Sequence, residues 1–135
     1  MKKEYQELIR AANRAKLNAY APYSKFYVGA AILTDDGKIF SGCNIENSSY
    51  GLTICAERTA IFSAIAQGIS KFKAIAIVSN SSEVITPCGA CRQVLFELAG
   101  DIDIIMSSNS KKIKIVRLKQ LLPLPFTGNN LKQPR

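Results

Sequence analysis

The sequence predicts an α/β fold: a single mixed sheet of about five strands covered by helices, in the order α-ββ-α-β-α-ββ. Three observations carry this. Helical and strand-like apolar patterns alternate along the 135 residues. A helical stretch separates the third strand from the fourth, long enough for a crossover that allows them to run parallel. The connections at Asp35-Asp36-Gly37 and at Ser108 to Lys112 are so short that each must join antiparallel neighbours.

The elements follow in order. From Lys3 to Tyr20 the apolar residues Tyr5, Leu8, Ile9, Ala12, Ala15 and Ala19 recur at steps of three and four, the stripe of an amphipathic helix, which Pro22 ends. Phe26 to Thr34 and Lys38 to Cys43 read as a hairpin about the Asp-Asp-Gly turn. Residues 44 to 52, NIENSSYGL, read as a loop entering a helix from about Cys55 to Gln67, with Gly68 as its stop. Lys73 to Ser79 is a buried strand, and residues 80 to 87 form a second loop ending in Pro87. A helix from about Cys88 to Ala99 stops at Gly100, and Asp103 to Ser107 and Ile113 to Arg117 are the last two strands. One helical turn is expected over Leu118 to Leu122, then an irregular Pro- and Gly-containing tail over 123–135. The length and the 47% hydrophobic content fit one domain over residues 1–135, with no repeat or linker.

Composition removes whole classes of chemistry. There is no histidine, which excludes Ser-His and Cys-His catalytic pairs, His-ligated metals and HExxH zinc peptidases. MKKEYQELIR has no apolar stretch after its basic residues, and no run approaches the roughly 18 apolar residues of a membrane span, so a cytoplasmic protein with no membrane partner is expected. In such a compartment Cys43, Cys55, Cys88 and Cys91 stay reduced, leaving burial, metal ligation or nucleophilic attack as their uses.

Three of the cysteines stand at two predicted helix starts: Cys55 in TICAERTAI, and Cys88 and Cys91 in PCGACRQV. C-x-x-C places two sulfurs one turn apart on the same face, close enough to share a tetrahedral ion, and a helix N-terminus favours the thiolate. The pair alone fits buried thiols or a redox couple as well as a metal. With no His and no second C-x-x-C, a metal here would have three protein ligands and one open position, the pattern of catalytic zinc. Glu57 lies two residues after Cys55, roughly 200° around an ordinary helix, so both can face one ion only if Cys55 sits where the backbone is not yet helical. That spacing makes Glu57 a carboxylate beside the open position rather than a ligand. Otherwise it is an acidic residue in a first helical turn.

C-A-E followed some thirty residues later by P-C-x-x-C is the zinc deaminase signature in its three-cysteine form. The chain resembles the small three-cysteine cytidine deaminases, and AYAPYSKF, GCNIENSSYGLT, CAERTAIFSAI, PCGACRQVL and LLPLPF occur in the family's order over most of residues 1 to 126. Tyr27 departs from a common Pro and Ile54 from a common Asn, and the tail after Phe126 matches none of these motifs.

The resemblance implies the three-layer cytidine deaminase fold, one Zn²⁺ per chain on Cys55, Cys88 and Cys91, and attack of water on C4 of the pyrimidine with Glu57 as proton shuttle. Products would be uridine or deoxyuridine and ammonia, in pyrimidine salvage. A zinc ion with three thiolates carries a net negative charge that must be offset. Arg58 resembles the family arginine that hydrogen-bonds the sulfurs, and Arg92, beside Cys91, is expected to assist it together with the two helix N-termini. Asn44 and Glu46 are implied at the ribose 3′-hydroxyl, Phe26 on the pyrimidine ring, and backbone groups of Ala56 and Cys88 on the base edge. Tyr50 and Phe126 are implied to reach a neighbouring subunit's site in a homotetramer. Cys43 is expected to be buried and inert.

Two other readings stand beside this one. The net charge of +8 permits a nucleic-acid partner or a polynucleotide-editing deaminase. Its lysines, however, cluster at 111–119 and 2–16, away from the motifs and without interleaved aromatics, and polynucleotide deaminases typically use H-x-E. A deaminase of a modified cytosine nucleoside, such as an aminoacylnucleoside antibiotic, shares the motifs.

Overall fold

The structure is a computed structural model that describes residues 1–131. A five-stranded sheet in the order β2-β1-β3-β4-β5 is formed by β1 (Val28–Thr34), β2 (Ile39–Cys43), β3 (Phe72–Ser79), β4 (Asp103–Ser107) and β5 (Ile113–Arg117). Only β3 and β4 run parallel, with Ala74 opposite Asp103 and Val78 opposite Ser107; the crossover between them contains a helix, and the other neighbours are antiparallel. The mixed sheet and its helices match the expected fold class.

Alternation along the strands divides the core in two. On one face Ala31, Leu33, Ala74, Ala76, Val78 and Ile105 receive Tyr5, Leu8, Ala11 and Ala12 of α1 (Lys3–Lys16). On the other, Ala30, Ile32, Ile75, Ile77, Ile104 and Met106 receive Ala56, Ala60, Ile61 and Ala64 of α2 (Ala56–Ala66) and Leu95 of α3 (Gly89–Ala99). Leu118 of the short α4 (Leu118–Leu121) closes that layer. Two glycines let helices approach the sheet closely. A Cβ at Gly29 would land on the Ala12 carbonyl oxygen of α1, and one at Gly42 would strike Thr59 and Ala60 of α2.

Boundaries move in informative ways. Helix α1 ends at Lys16, not Tyr20, because the chain turns away to pair Tyr20 with Ile45. Phe26 and Tyr27 fall outside β1 because side chains take their backbone groups. Phe26 N–H donates to Ser24 Oγ, Tyr27 N–H to Asn80 Oδ1, and the Phe26 carbonyl accepts from Asn44 Nδ2. The tail, read as irregular over 123–135, contains a 3₁₀ turn at Gly128–Leu131; residues 132–135 lie outside the described residues.

Candidate active site

Three segments are stitched together at the mouth of the α2 and α3 layer. Ile45 and Ile54 exchange two backbone hydrogen bonds of 3.0 Å, joining the N-I-E segment to the stretch before Cys55. Tyr20 N–H donates to the Asn44 carbonyl at 3.0 Å and Glu46 N–H to the Tyr20 carbonyl at 2.8 Å, which brings in residues 20–24. Where α2 begins, Cys55 is the N-cap, with extended backbone (φ −78°, ψ 154°), as the C-x-E spacing requires. Cys88 is the N-cap of α3, also extended, and its Sγ accepts from Cys91 N–H at 3.4 Å.

The sulfurs of Cys55, Cys88 and Cys91 lie within 4.8 Å of one another, and those of Cys55 and Cys88 are 3.8 Å apart. Tetrahedral zinc with Zn–S bonds of about 2.3 Å separates its sulfurs by roughly 3.8 Å. Distance and donor chemistry therefore fit one Zn²⁺ per chain on three thiolates, with one coordination position left over.

Charge is arranged around this cluster. A hydrogen bond from Cys91, opposed by burial and reinforced by Arg58 and Cys88, holds the Cys55 thiol down to about 5. Cys91 is pushed up, chiefly by that same hydrogen bond and then by its burial. Arg58 Nη2 donates to Cys55 Sγ at 3.5 Å, and this bond keeps the guanidinium firmly charged; its buried Nε has no partner among the described residues. Glu57 is only 4% exposed, and that burial pushes its carboxyl up to about 7.

A cleft of about 270 Å³ opens beside the cluster, lined by Phe26, Asn44, Glu46, Cys55, Ala56, Glu57 and Cys88 from the sequence reading. Ser24, Val28, Thr53, Ile54, Ile85 and Thr86 complete it. Of these, Ser24 lies within AYAPYSKF, whereas Ile85 and Thr86 carry no pattern that marks them. Asn44 and Glu46 brace the cleft as well as line it. Asn44 Oδ1 accepts from Val28 N–H at 2.9 Å while Nδ2 donates to the Phe26 carbonyl at 2.7 Å. Glu46 Oε1 accepts from the backbone amides of Tyr23 (3.0 Å) and Ser24 (3.2 Å), and Oε2 accepts from the Ser24 hydroxyl. These bonds hold the Glu46 carboxyl below the usual carboxylate range, the Ser24 hydroxyl contributing most.

Other residues lie elsewhere. Tyr50 is 75% exposed in an adjoining cleft with Tyr23, and Phe126, 56% exposed, is not among the residues lining either cleft. Cys43 is half-buried rather than buried, and burial raises its thiol. Arg92 corrects the sequence reading: its guanidinium nitrogens donate to the Pro87 carbonyl, the Leu121 carbonyl and Thr86 Oγ1, and to no sulfur. Being one residue past Cys91 turns it around α3 toward α4.

Three thiols at two helix starts, with a buried carboxylate beside them, define a zinc-dependent hydrolytic site. A family model described as the cytidine and deoxycytidylate deaminase zinc-binding region matches residues 2–107. The cytidine deaminase of Sporosarcina psychrophila is 44% identical over 129 residues, covering 95% of each chain. That of Halalkalibacterium halodurans is 46% identical over 127 residues, 93% of this chain and 96% of the other. The crystal structure of cytidine deaminase from Burkholderia pseudomallei superimposes with a TM-score of 0.88 at 48% identity, covering 93% of this chain and 100% of that one. The chain belongs to the cytidine and deoxycytidylate deaminase family.

Proposed function

We propose that the protein hydrolyses the C4 amine of free cytidine and deoxycytidine, giving uridine or deoxyuridine and ammonia, as a pyrimidine-salvage enzyme of the cytoplasm. The observation that carries this reading is the buried Glu57 between the three-sulfur cluster and a cleft of nucleoside size. When bound, zinc supplies the Lewis acidity that makes water a nucleophile near neutral pH. Glu57 takes the proton of the attacking water as C4 becomes tetrahedral and delivers it to N3; it then takes the proton of the new C4 hydroxyl and hands it to the amine, which leaves as ammonia while the C4 carbonyl forms. Arg58 holds the Cys55 thiolate in place and offsets its charge. Phe26 packs on the base, and backbone groups of Ala56 and Cys88 read its edge.

Asn44 and Glu46 suit a ribose 3′-hydroxyl by what their own bonds leave over. One amide N–H of Asn44 and one acceptor position of Glu46 have no partner among the described residues, so a hydroxyl can accept from the first and donate to the second. A 3′-phosphoester cannot donate and brings negative charge against Glu46. Among the described residues no lysine or arginine lines the cleft, which speaks against a nucleic-acid partner despite the net charge of +8. Exposed Tyr50, Leu52, Phe62, Ile65, Leu124 and Phe126 support the homotetramer, in which Tyr50 and Phe126 reach a neighbour's site. No helix among the described residues is long and apolar enough to cross a membrane.

An ultraviolet deamination assay across cytidine, deoxycytidine, cytosine, CMP, an aminoacylated cytosine nucleoside and single-stranded DNA tests this. Cytidine and deoxycytidine should react with similar kcat/KM and the others poorly. Equal turnover of CMP or DNA would overturn the Asn44 and Glu46 assignment, and preference for the aminoacylated nucleoside would favour the antibiotic reading.

A further inference from the structure

One wall of the cleft lacks secondary structure of its own. Residues 84–88, which contribute Ile85, Thr86 and Cys88 to the lining, lie in neither helix nor strand, and no backbone-to-backbone hydrogen bond donated by residues 84–87 occurs among the described residues. Such a segment adopts one conformation only if something outside it satisfies its polar groups. Arg92, half-buried on α3, does so. Its Nε donates to the Pro87 carbonyl at 2.8 Å and its Nη2 to Thr86 Oγ1 at 3.1 Å. The third nitrogen, Nη1, donates at 2.9 Å to the carbonyl of Leu121, the last residue of α4, which is not among the residues lining the cleft.

The neighbouring residue extends this brace. Gln93 Nε2 donates to the Phe126 carbonyl at 2.6 Å, and Phe126 N–H donates back to Gln93 Oε1 at 3.2 Å. Two consecutive side chains of α3 thereby fasten the C-terminal segment 121–126 to the helix whose N-cap is Cys88. Through Arg92 the fastening continues into the cleft wall. A planar guanidinium with three donors in fixed directions is suited to holding three acceptors at once, which a lysine ammonium does less well.

We propose that Arg92 is a positioning residue for the nucleoside: it sets the 85–87 wall of the cleft by anchoring it to α4, without touching substrate or metal. This rests on the deaminase reading above and deepens it. Losing the anchor frees Ile85 and Thr86 to move away from bound substrate while the thiols and Glu57 stay in place. Binding of the ground state and of the transition state should then suffer alike, which raises KM and leaves kcat nearly constant.

The test compares the wild-type holoenzyme with Arg92→Gln, Arg92→Lys and Thr86→Val in steady-state deamination of cytidine, with zinc content and thermal melting measured on each. For Arg92→Gln the expected result is a KM increase of about tenfold, kcat within about threefold of wild type, and one zinc per chain. Arg92→Lys should recover part of the loss and Thr86→Val, which deletes one of the three bonds, should show a smaller rise in KM. Unchanged KM in the folded variants overturns the proposal, as does a fall in kcat that tracks lost zinc, because Arg92 would then act on the ligands. Should Arg92→Gln fail to fold, Arg92→Lys and Thr86→Val decide by the same criterion. Backbone amide order parameters at residues 84–86 give a reading independent of substrate: lower values in Arg92→Gln are expected, and no change overturns the anchor. A wild-type enzyme inactive on every cytosine nucleoside, yet with that difference in order parameters between it and Arg92→Gln, would sink the deaminase reading and leave the anchor standing.

Discussion

The two faces of the sheet are covered in opposite ways. Against α1 the sheet presents small residues such as Ala31, Ala74 and Ala76, and the helix brings Tyr5 and Leu8 down onto them. Against α2 the sheet presents Ile32, Ile75, Ile77 and Ile104, and the helix brings Ala56, Ala60 and Ala64. In both layers large side chains are paired with small ones across the interface, as close packing requires. The difference lies at the ends. Helix α1 opens near Met1 with no chemistry around it, whereas α2 and α3 open on Cys55 and Cys88 with Glu57 packed behind them. One face is thus a support and the other a support with a reactive rim, and substitutions should separate stability from turnover accordingly.

The largest expected effect is on the reactive rim. Glu57→Gln keeps the volume and should keep both fold and zinc, yet lower kcat by about 10²–10⁴-fold, roughly 3–5 kcal/mol of barrier. Activity within about tenfold of wild type would place the proton shuttle elsewhere.

On the supporting face, Gly29→Ala forces a methyl group into the backbone of α1 at Ala12 and Lys16. Overpacking of this kind costs about 3 kcal/mol, read as a lower midpoint in urea, while kcat per folded molecule stays constant. A large loss of kcat in the folded variant would mean that the two faces are coupled. Smaller again is Arg58→Gln, which removes the donor to Cys55 Sγ. Such losses typically cost about 10–100-fold in metal affinity or activity, and kinetics at saturating zinc would show which.

The smallest effect is confined to the α1 face and to alkaline pH. Tyr5 donates its hydroxyl to Asp103 Oδ2 at 2.5 Å, and burial together with this bond pushes its hydroxyl from 10.0 up to about 12. A folded-state value raised above the unfolded one gives stability that is fully present below pH 10 and lost as pH rises toward 12. Tyr5→Phe should lower stability by about 1 kcal/mol at neutral pH and flatten that alkaline decline. An identical decline in both proteins would assign it to other groups.

Much of the molecule was legible because its signals are local. The stripe Tyr5, Leu8, Ala12 and Ala15 specifies the buried side of α1, and Gly68 and Gly100, at φ 87° and 77°, mark where α2 and α3 must stop. C-A-E and P-C-x-x-C, through the family resemblance they carry, pointed to Cys55, Cys88 and Cys91 as one cluster, and a helix start is what converts that spacing into direction. Other features were not legible for an equally physical reason. Phe26 and Tyr27 read as strand, and only Asn44 and Asn80, distant in sequence, divert their backbone groups. Arg92 read as a neighbour of Cys91, but direction around a helix depends on what packs there, and Leu121 lies 29 residues away.

The sequence by itself determined the identity of the elements, a crossover long enough to allow β3 and β4 to run parallel, and the chemistry available: thiols and a carboxylate at helix starts, with no histidine to compete. These follow from periodicity, turn residues and spacing, which act over a few residues. Only the tertiary structure decided that β1 lies between β2 and β3, that Glu57 is buried, that residues 20–24, 44–46 and 53–55 meet at one cleft, and that Arg92 serves its wall. Those outcomes depend on which distant groups are left to satisfy one another's hydrogen bonds once the apolar faces have been covered.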